Sequence, residues 1–160
     1  MLTLYKSLIL PHLDYCSQLW CPSTPGEIEK VENIQRTFIR KITTVRKLSY
    51  WEQLKCLKLF SLQRRRERYR IIYLWKIMEN LVPQMGEVKA IYHKRYDRYC
   101  YVPSVRSSAP ARIKTIRYTS FSIHAPQLFN SLPQDIRNIS GCSLEVFKSR
   151  LDGYLQVVPD

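Results

Sequence analysis

The chain has few glycines and lacks the short motifs that mark several enzyme classes. Four glycines in 160 residues argue against a glycine-rich phosphate-binding loop. No GxSxG, HExxH, Walker-type or kinase motif occurs, and the aspartates stand singly, so no Asp-Asp pair is available to hold a catalytic Mg²⁺. These absences predict that the chain has no self-sufficient active site and needs no cofactor.

The cysteines and histidines show no pattern of a metal site or of a disulfide framework. Five cysteines are an odd number, they are widely scattered, and no CxxC occurs. The three histidines stand in no zinc-ligand spacing with them, and a lone Cys16-x4-Cys21 pair does not define a site. We therefore predict buried free thiols, no metal, and a reducing compartment, which means the cytoplasm or the nucleus.

The N-terminal stretch is apolar but does not have the features of a membrane or secretion signal. Lys6, Pro11, His12 and Asp14 interrupt it, so it is too broken to span a bilayer. It also lacks a basic leading region and a small-residue cleavage site. We expect no membrane partner, because no basic helix has a clean apolar face for insertion into an acidic surface.

Positive charge is abundant and unevenly distributed. The net charge is +13. Residues 36–117 hold 21 Lys/Arg and 5 Asp/Glu, a balance of +16, whereas the remainder holds 5 basic and 8 acidic residues, a balance of −3. A basic middle with near-neutral ends indicates a polyanionic partner, most often nucleic acid.

The densest basic cluster lies in the stretch from Leu59 to Glu79, which we predict to be helical. It contains five arginines within seven residues: Arg64, Arg65, Arg66, Arg68 and Arg70. The next two turns are almost entirely apolar, so one half of the helix is expected in a core while the other presents guanidinium groups. Arginine forks onto phosphate oxygens, which favours a nucleic-acid contact helix. The alternative is a solvated surface turn diluted by Glu67.

Helical patterns account for most of residues 1–82. Residues 2–21 predict two short helices hinged at Pro11. Thr24 and Glu27 form a capping-box pattern that opens a helix to about Ile42, with Glu32 and Arg36 as an exposed ion pair. The apolar face of this helix is predicted to contain Ile28, Val31, Ile34, Phe38, Ile39 and Ile42.

Two more helix starts follow in the same region. Ser49 and Glu52 form a second capping-box pattern before a short helix. Ser61 is the predicted cap of the arginine-rich helix, which we expect Pro83 and Gly86 to end.

Residues 87–120 mix tyrosines with basic residues and contain prolines and serines that break long helices. We predict irregular chain with short strands over Tyr99–Pro103 and Ile113–Phe121. Aromatic residues interleaved with cations suit single-stranded nucleic acid, because bases stack and phosphates pair. The equal alternative is a basic loop whose tyrosines pack on the domain.

The remaining chain predicts a packed C-terminal tail. Residues 121–139 form a compact connector, and Ser143 caps a final helix with one apolar face. The predicted fold is therefore mainly α. It consists of a small helical bundle over residues 1–82, an irregular basic segment with short strands over 83–120, and a tail over 121–160 with a terminal helix.

The candidate nucleic-acid-binding residues are drawn from these basic stretches. They are Arg36, Arg40, Lys41, Arg64, Arg65, Arg66, Arg68, Arg70, Lys94, Arg95, Tyr96, Arg98 and Tyr99.

The order of several motifs resembles the C-terminal region of non-LTR retrotransposon (jockey-like LINE) reverse transcriptases. Residues 5–22 are similar to the family pattern LYxSLILPHLDYCxxxWxP, and residues 31–36 to the helix that follows it. Residues 50–58 and 62–75 are similar to the family's block YxERLKxLxLxSLxxRRxRxxLIxxYKI. The family's tail pattern, with FNSLP and LDxYLxxxPD, is matched by Phe121, Pro126 and residues 128–133, 147–151 and 159–160. The resemblance covers nearly the whole chain.

This resemblance implies a thumb-like region that grips primer–template behind a polymerase active site. The family's catalytic carboxylates lie upstream, in a Phe/Tyr-x-Asp-Asp motif that this chain begins too late to include, so no catalytic residue is carried over. The expected partners are RNA, DNA or their hybrid, together with an upstream palm domain. Alternatives are a retroelement remnant without function, a subunit active only with a palm supplied in trans, and a basic protein-interaction module.

Overall fold

A computed structural model of the chain describes residues 1–17, 19–22, 24–83, 90–93, 97–104, 110–111 and 117–157. The fold is mainly helical, as predicted. Backbone contacts separate residues 1–66 from residues 67–159 as two compact units. Among the described residues, no helix is both long and apolar enough to cross a membrane.

The first unit is built from short helices joined by tight turns. In chain order these are α1 (Leu2–Leu4), a π-helical turn (Tyr5–Ile9), α2 (Leu10–Asp14), α3 (Pro25–Ile39), a 3-10 turn (Thr43–Val45), α4 (Tyr50–Leu57) and the first turn of α5 (Leu62–Met78).

The N-terminal segment differs from the prediction of two helices hinged at Pro11. Helical backbone continues from Leu2 to Asp14 through a π-helical turn, in which the N–H of Leu10 donates to the carbonyl of Tyr5. Pro11 has no N–H to donate, and it lies in the first turn of α2. The wider π-helical turn just before it lets the helix proceed without a hinge.

The predicted helix starts at Thr24, Ser49 and Ser61 are confirmed. Thr24 and Ser49 each form a complete capping box, in which the hydroxyl accepts from a backbone N–H three residues on and the glutamate side chain accepts in return. The hydroxyl of Ser61 accepts from the N–H of Arg64 at 3.1 Å. The end of α5 differs from expectation, because the helix stops at Met78 and Asn80 adopts a left-handed conformation, before Pro83.

The buried face of α3 also differs from the predicted apolar stripe. Ile34 keeps 45% of its surface exposed, whereas Glu32 and Gln35 are buried. Arg36 pairs with Glu29 at 2.6 Å instead of with Glu32. The apolar spacing did not predict the burial of Glu32 and Gln35, because their hydrogen-bond partners lie on other segments of the chain.

A polar network joins α3 to the π-helical turn, to α4 and to the start of α5. The hydroxyl of Tyr5 donates to Oε1 of Gln35 at 2.6 Å, and Nε2 of Gln35 donates to the hydroxyl of Tyr50 and to the carbonyl of Phe60, each at 3.1 Å. The Tyr50 hydroxyl and the N–H of Leu62 both donate to the Glu32 carboxylate. Two small apolar clusters flank this network, around Leu10 and Leu62 and around Ile39, Val45 and Leu54.

The second unit combines the rest of α5 with a strand pair and the C-terminal helices. These are β1 (Ala90–His93), β2 (Asp97–Cys100), α6 (Phe121–Asn130), α7 (Gln134–Arg137) and α8 (Leu144–Val157). The apolar half of α5 is buried as predicted, and the ring of Trp75 stacks on that of Phe147, with 4.6 Å between centroids. The predicted C-terminal helix is confirmed, with Phe147, Leu151 and Leu155 buried.

The strand predictions are met only in part. β1 and β2 pair antiparallel, with Ala90 opposite Cys100, so the expected strand over Tyr99–Pro103 begins two residues earlier and ends at Cys100. The expected strand over Ile113–Phe121 is wrong in its described part, because residues 117–119 are helical and Phe121 begins α6. Ser120 lies between this helical turn and α6, and its extended backbone conformation suits a helix N-cap.

Candidate nucleic-acid interface

Two arginines of the α5 cluster form ion pairs inside their own units. Arg65 makes a bidentate pair with Asp14, at 3.1 Å from Nε and 2.5 Å from Nη2. Arg68 forms a similar bidentate pair with Asp152. Such fork-to-carboxylate pairs use the same guanidinium edge that would bind a phosphate.

Two other arginines of the cluster are buried. Arg66 is 3% exposed, donates to the carbonyl of Leu13 at 3.3 Å and lies over the ring of Trp20 at 4.6 Å. Arg70 is 2% exposed, and its Nη1 lies 2.5 Å from Nδ1 of His124. Burial, and then the charge of Arg70, lower the pKa of His124, so the neutral ring can accept this hydrogen bond.

The expectation that this half of α5 presents its guanidinium groups to solvent is therefore wrong. Arg64, Arg65 and Arg68 are partly buried, and Arg66 and Arg70 are in the interior. The charges are tolerated because aspartates, carbonyls, an aromatic ring and a neutral histidine surround them. Nucleic-acid contact by the cluster stays a prediction, and for the two buried residues it would require the packing to open.

The candidates of the basic middle segment fall into two groups. Lys94, Arg95 and Tyr96 lie outside the described residues. Arg98 is buried, pairs with Glu79 at 2.6 Å and donates to the carbonyl of Ile139 at 3.0 Å.

Tyr99 is half-buried beneath another cation. The guanidinium carbon of Arg137 lies 4.0 Å from the centroid of the Tyr99 ring. Through these contacts Arg98 and Tyr99 hold β2 against other residues of the second unit. Their contact with single-stranded nucleic acid stays a prediction.

Two further candidates, Arg40 and Lys41, do come together on the surface of the first unit. Both are exposed and line a cavity of about 460 Å³ with Arg46, which we had not selected as a candidate. Residues from the loop before α4 and from its first turn complete the cavity wall: Leu48, Ser49, Tyr50 and Gln53. We refer to Arg40, Lys41 and Arg46 with this wall as the cationic cavity.

A buried glutamine holds the loop that carries Arg46. Nε2 of Gln53 donates to the carbonyl of Val45 at 3.0 Å and to that of Leu48 at 2.9 Å. Val45 is itself buried, so both ends of the four-residue loop are fixed to the unit. The cavity is therefore formed by an anchored turn. The sequence signal for it was the basic run that continues from the end of α3 to Arg46 and Lys47.

Arg36 borders the cationic cavity through Tyr50. Its guanidinium carbon lies 4.8 Å from the centroid of the Tyr50 ring, and Nη1 also contacts Glu29 at 2.6 Å. Burial raises the pKa of Tyr50, and the hydrogen bond to Glu32 raises it further, so the phenol remains neutral. No acidic residue is among those that line the cavity.

A second surface cavity of about 460 Å³ shares Lys41 with the first. It is lined by Ile9, Lys30, Asn33, Ile34, Thr37, Phe38 and Lys41. Its wall is more apolar than that of the cationic cavity and includes two lysines.

The described part of the chain contains no group of three His, Cys, Asp or Glu side chains placed to hold a metal ion. The cysteines are free thiols, but the prediction that they are buried holds only for Cys100, since Cys56 is exposed and the other three are half-buried. Comparison of the chain with protein-family models, with curated proteins and with solved structures found no match. The resemblance to reverse transcriptases therefore rests on the sequence motifs quoted above. The candidate interface is identified from the positions and charges of its residues.

Proposed function

We propose that this chain is the nucleic-acid-binding C-terminal part of a retrotransposon RNA-directed DNA polymerase, that it holds primer–template, and that it has no catalytic centre of its own. The observation that carries the proposal is the convergence of Arg40, Lys41 and Arg46 on one anchored cavity. The net charge of +13 and the motif order are consistent with it.

Three cations around one concave surface suit a phosphate backbone better than an isolated carboxylate. Their mutual repulsion is relieved when a polyanion lies between them, and two of the three are arginines that can fork onto phosphate oxygens. Glu52 in the first turn of α4 is not among the residues that line the cavity, and its carboxylate accepts from the Ser49 N–H at 2.9 Å and the Ser49 hydroxyl at 2.7 Å.

Charge reversal of the cavity tests the proposal. The triple variant R40E/K41E/R46E should weaken binding to a labelled RNA–DNA hybrid on the order of 100-fold at 0.1 M salt, because about three counterions are no longer released. Fluorescence anisotropy measures the affinity, and far-UV circular dichroism checks that the helices remain.

The matched control is K6E/R117E/R150E, which makes the same change in net charge at three exposed cations that line neither surface cavity. It should retain affinity to within about threefold if local contacts dominate over the overall field. Equal losses in the two variants, or wild-type affinity in the cavity variant, would contradict the proposal.

A further inference from the structure

An exposed apolar surface borders the cationic cavity. Trp51, the second residue of α4, keeps 50% of its surface exposed, and the neighbouring Leu48 in the cavity wall keeps 42%. The Trp51 ring lies 5.2 Å from the ring of Tyr50, which also lines the cavity. Aromatic surface and positive charge are thus contiguous at the start of α4.

The other two tryptophans have evident roles within the protein. Trp75 is fully buried, and its Nε1 donates to the carbonyl of Ile139 at 2.9 Å. Trp20 donates to the carbonyl of Tyr15 at 2.6 Å and lies beneath the guanidinium group of Arg66. Trp51 keeps 50% of its surface exposed, against 40% for Trp20, and its ring contacts the ring of Tyr50 in the cavity wall.

We propose that this surface binds single-stranded nucleic acid, with the backbone phosphates among Arg40, Lys41 and Arg46 and a base stacked on Trp51. The inference rests on the proposed function and adds to it a stacking contact that only strands with unpaired bases can make. Every base has a flat face that can stack on an indole ring, so the contact needs no particular sequence. In a duplex the bases are stacked on one another, and their faces are not available to a side chain at the surface.

Leu48 adds exposed apolar surface to the cavity wall, where the sugar of the same nucleotide would lie. Charge and stacking would then act on adjacent parts of one strand. A duplex could still bind through its phosphates, but the indole ring would not add to its affinity. Mutation can therefore separate the contribution of charge from that of stacking.

The test compares Trp51→Ala with Trp51→Phe in the full chain. The ligands are a labelled, unstructured oligouridylate and a blunt RNA–DNA hybrid of equal length. We expect Trp51→Ala to weaken binding to the single strand about tenfold and to the hybrid less than about twofold, because only unpaired bases stack. Trp51→Phe should restore most of the affinity, since it keeps a ring. Leu19→Ala, which truncates another exposed apolar side chain, is the control and should leave both affinities unchanged.

The outcomes separate this inference from the proposed function. If R40E/K41E/R46E loses affinity for both ligands while Trp51→Ala affects both equally or neither, stacking on Trp51 is refuted and phosphate binding stands. If the charge-reversal variant retains affinity for both ligands, the proposed function fails as well. A purified acidic peptide that displaces the oligouridylate and depends equally on Trp51 would also overturn the assignment, because it would identify a protein partner.

Discussion

Replacement of Glu32 should destabilise the protein far more than replacement of an ordinary surface glutamate. Glu32 is 6% exposed, and its carboxylate accepts hydrogen bonds from the N–H of Leu62 and the hydroxyl of Tyr50. Leu62 is the first residue of α5, so the negative charge also lies at the positive end of that helix. Glu32→Ala would leave both donors in the interior without this acceptor.

The expected loss follows from those contacts. A hydrogen bond to a charged group contributes roughly 1.5–3 kcal/mol, and an unpaired buried donor costs about 1–3 kcal/mol. With two donors affected, and with partial relaxation toward water, we expect the free energy of unfolding to fall by about 3 kcal/mol. Glu32→Gln keeps an acceptor oxygen without the charge, and should lose about half as much.

Urea denaturation followed by circular dichroism at neutral pH measures these differences. The control is Glu29→Ala, whose side chain is 54% exposed and pairs with Arg36. Its loss should be below about 1 kcal/mol, because solvent screens the pair. If Glu32→Ala unfolds at the same urea concentration as Glu29→Ala, the buried network does not hold α3 to α5 and the reasoning is refuted.

Two other predictions concern buried groups. Arg98→Ala should lower the free energy of unfolding by about 3–5 kcal/mol, because it leaves Glu79 without its buried partner; an unchanged thermal midpoint would show that the pair contributes nothing. Burial raises the pKa of Tyr5 and of Tyr50 in the folded protein. The unfolded chain ionises these phenols near pH 10, so their contribution to stability is complete below that pH and is lost as the pH rises further. In an alkaline titration, part of the phenolate absorbance should therefore appear only together with loss of helical circular dichroism, and its appearance before unfolding would contradict the burial of these rings.

Helix starts could be predicted from the sequence because they depend on neighbouring residues. The capping boxes at Thr24 and Ser49 need only a hydroxyl and a glutamate three residues apart, and both formed as expected. The C-terminal helix was predictable for the same reason, since its apolar spacing is local.

The solvent exposure of the arginine side chains in α5 could not be predicted from the residues of that stretch alone. Whether Arg65 and Arg68 face solvent depends on Asp14 and Asp152, which lie 51 and 84 residues away in the sequence. The burial of Glu32 and Gln35 likewise depends on Tyr5, Tyr50 and the start of α5. Local periodicity assigns polar residues to the outside, and it fails where distant segments supply their partners.

The cationic cavity was only partly predictable. The sequence predicts Arg40 and Lys41 because they form the basic end of the α3 pattern. The position of Arg46 beside them depends on a loop that the buried side chain of Gln53 holds, and this is not visible in the local sequence. The aromatic border at Trp51 was missed as well, since an aromatic residue near a helix start is usually part of a core.

The salt dependence of binding is the most direct test of the claim that this cavity holds a phosphate backbone. The affinity of the wild-type chain for oligouridylate and for the RNA–DNA hybrid would be measured by anisotropy over a salt series, beside R40E/K41E/R46E. With three phosphate contacts, the slope of log K against log salt should be about −2 for the single strand and closer to −3 for a duplex. The charge-reversal variant should have a slope near zero. A wild-type affinity that does not change with salt, or a slope that the variant leaves intact, would contradict the account.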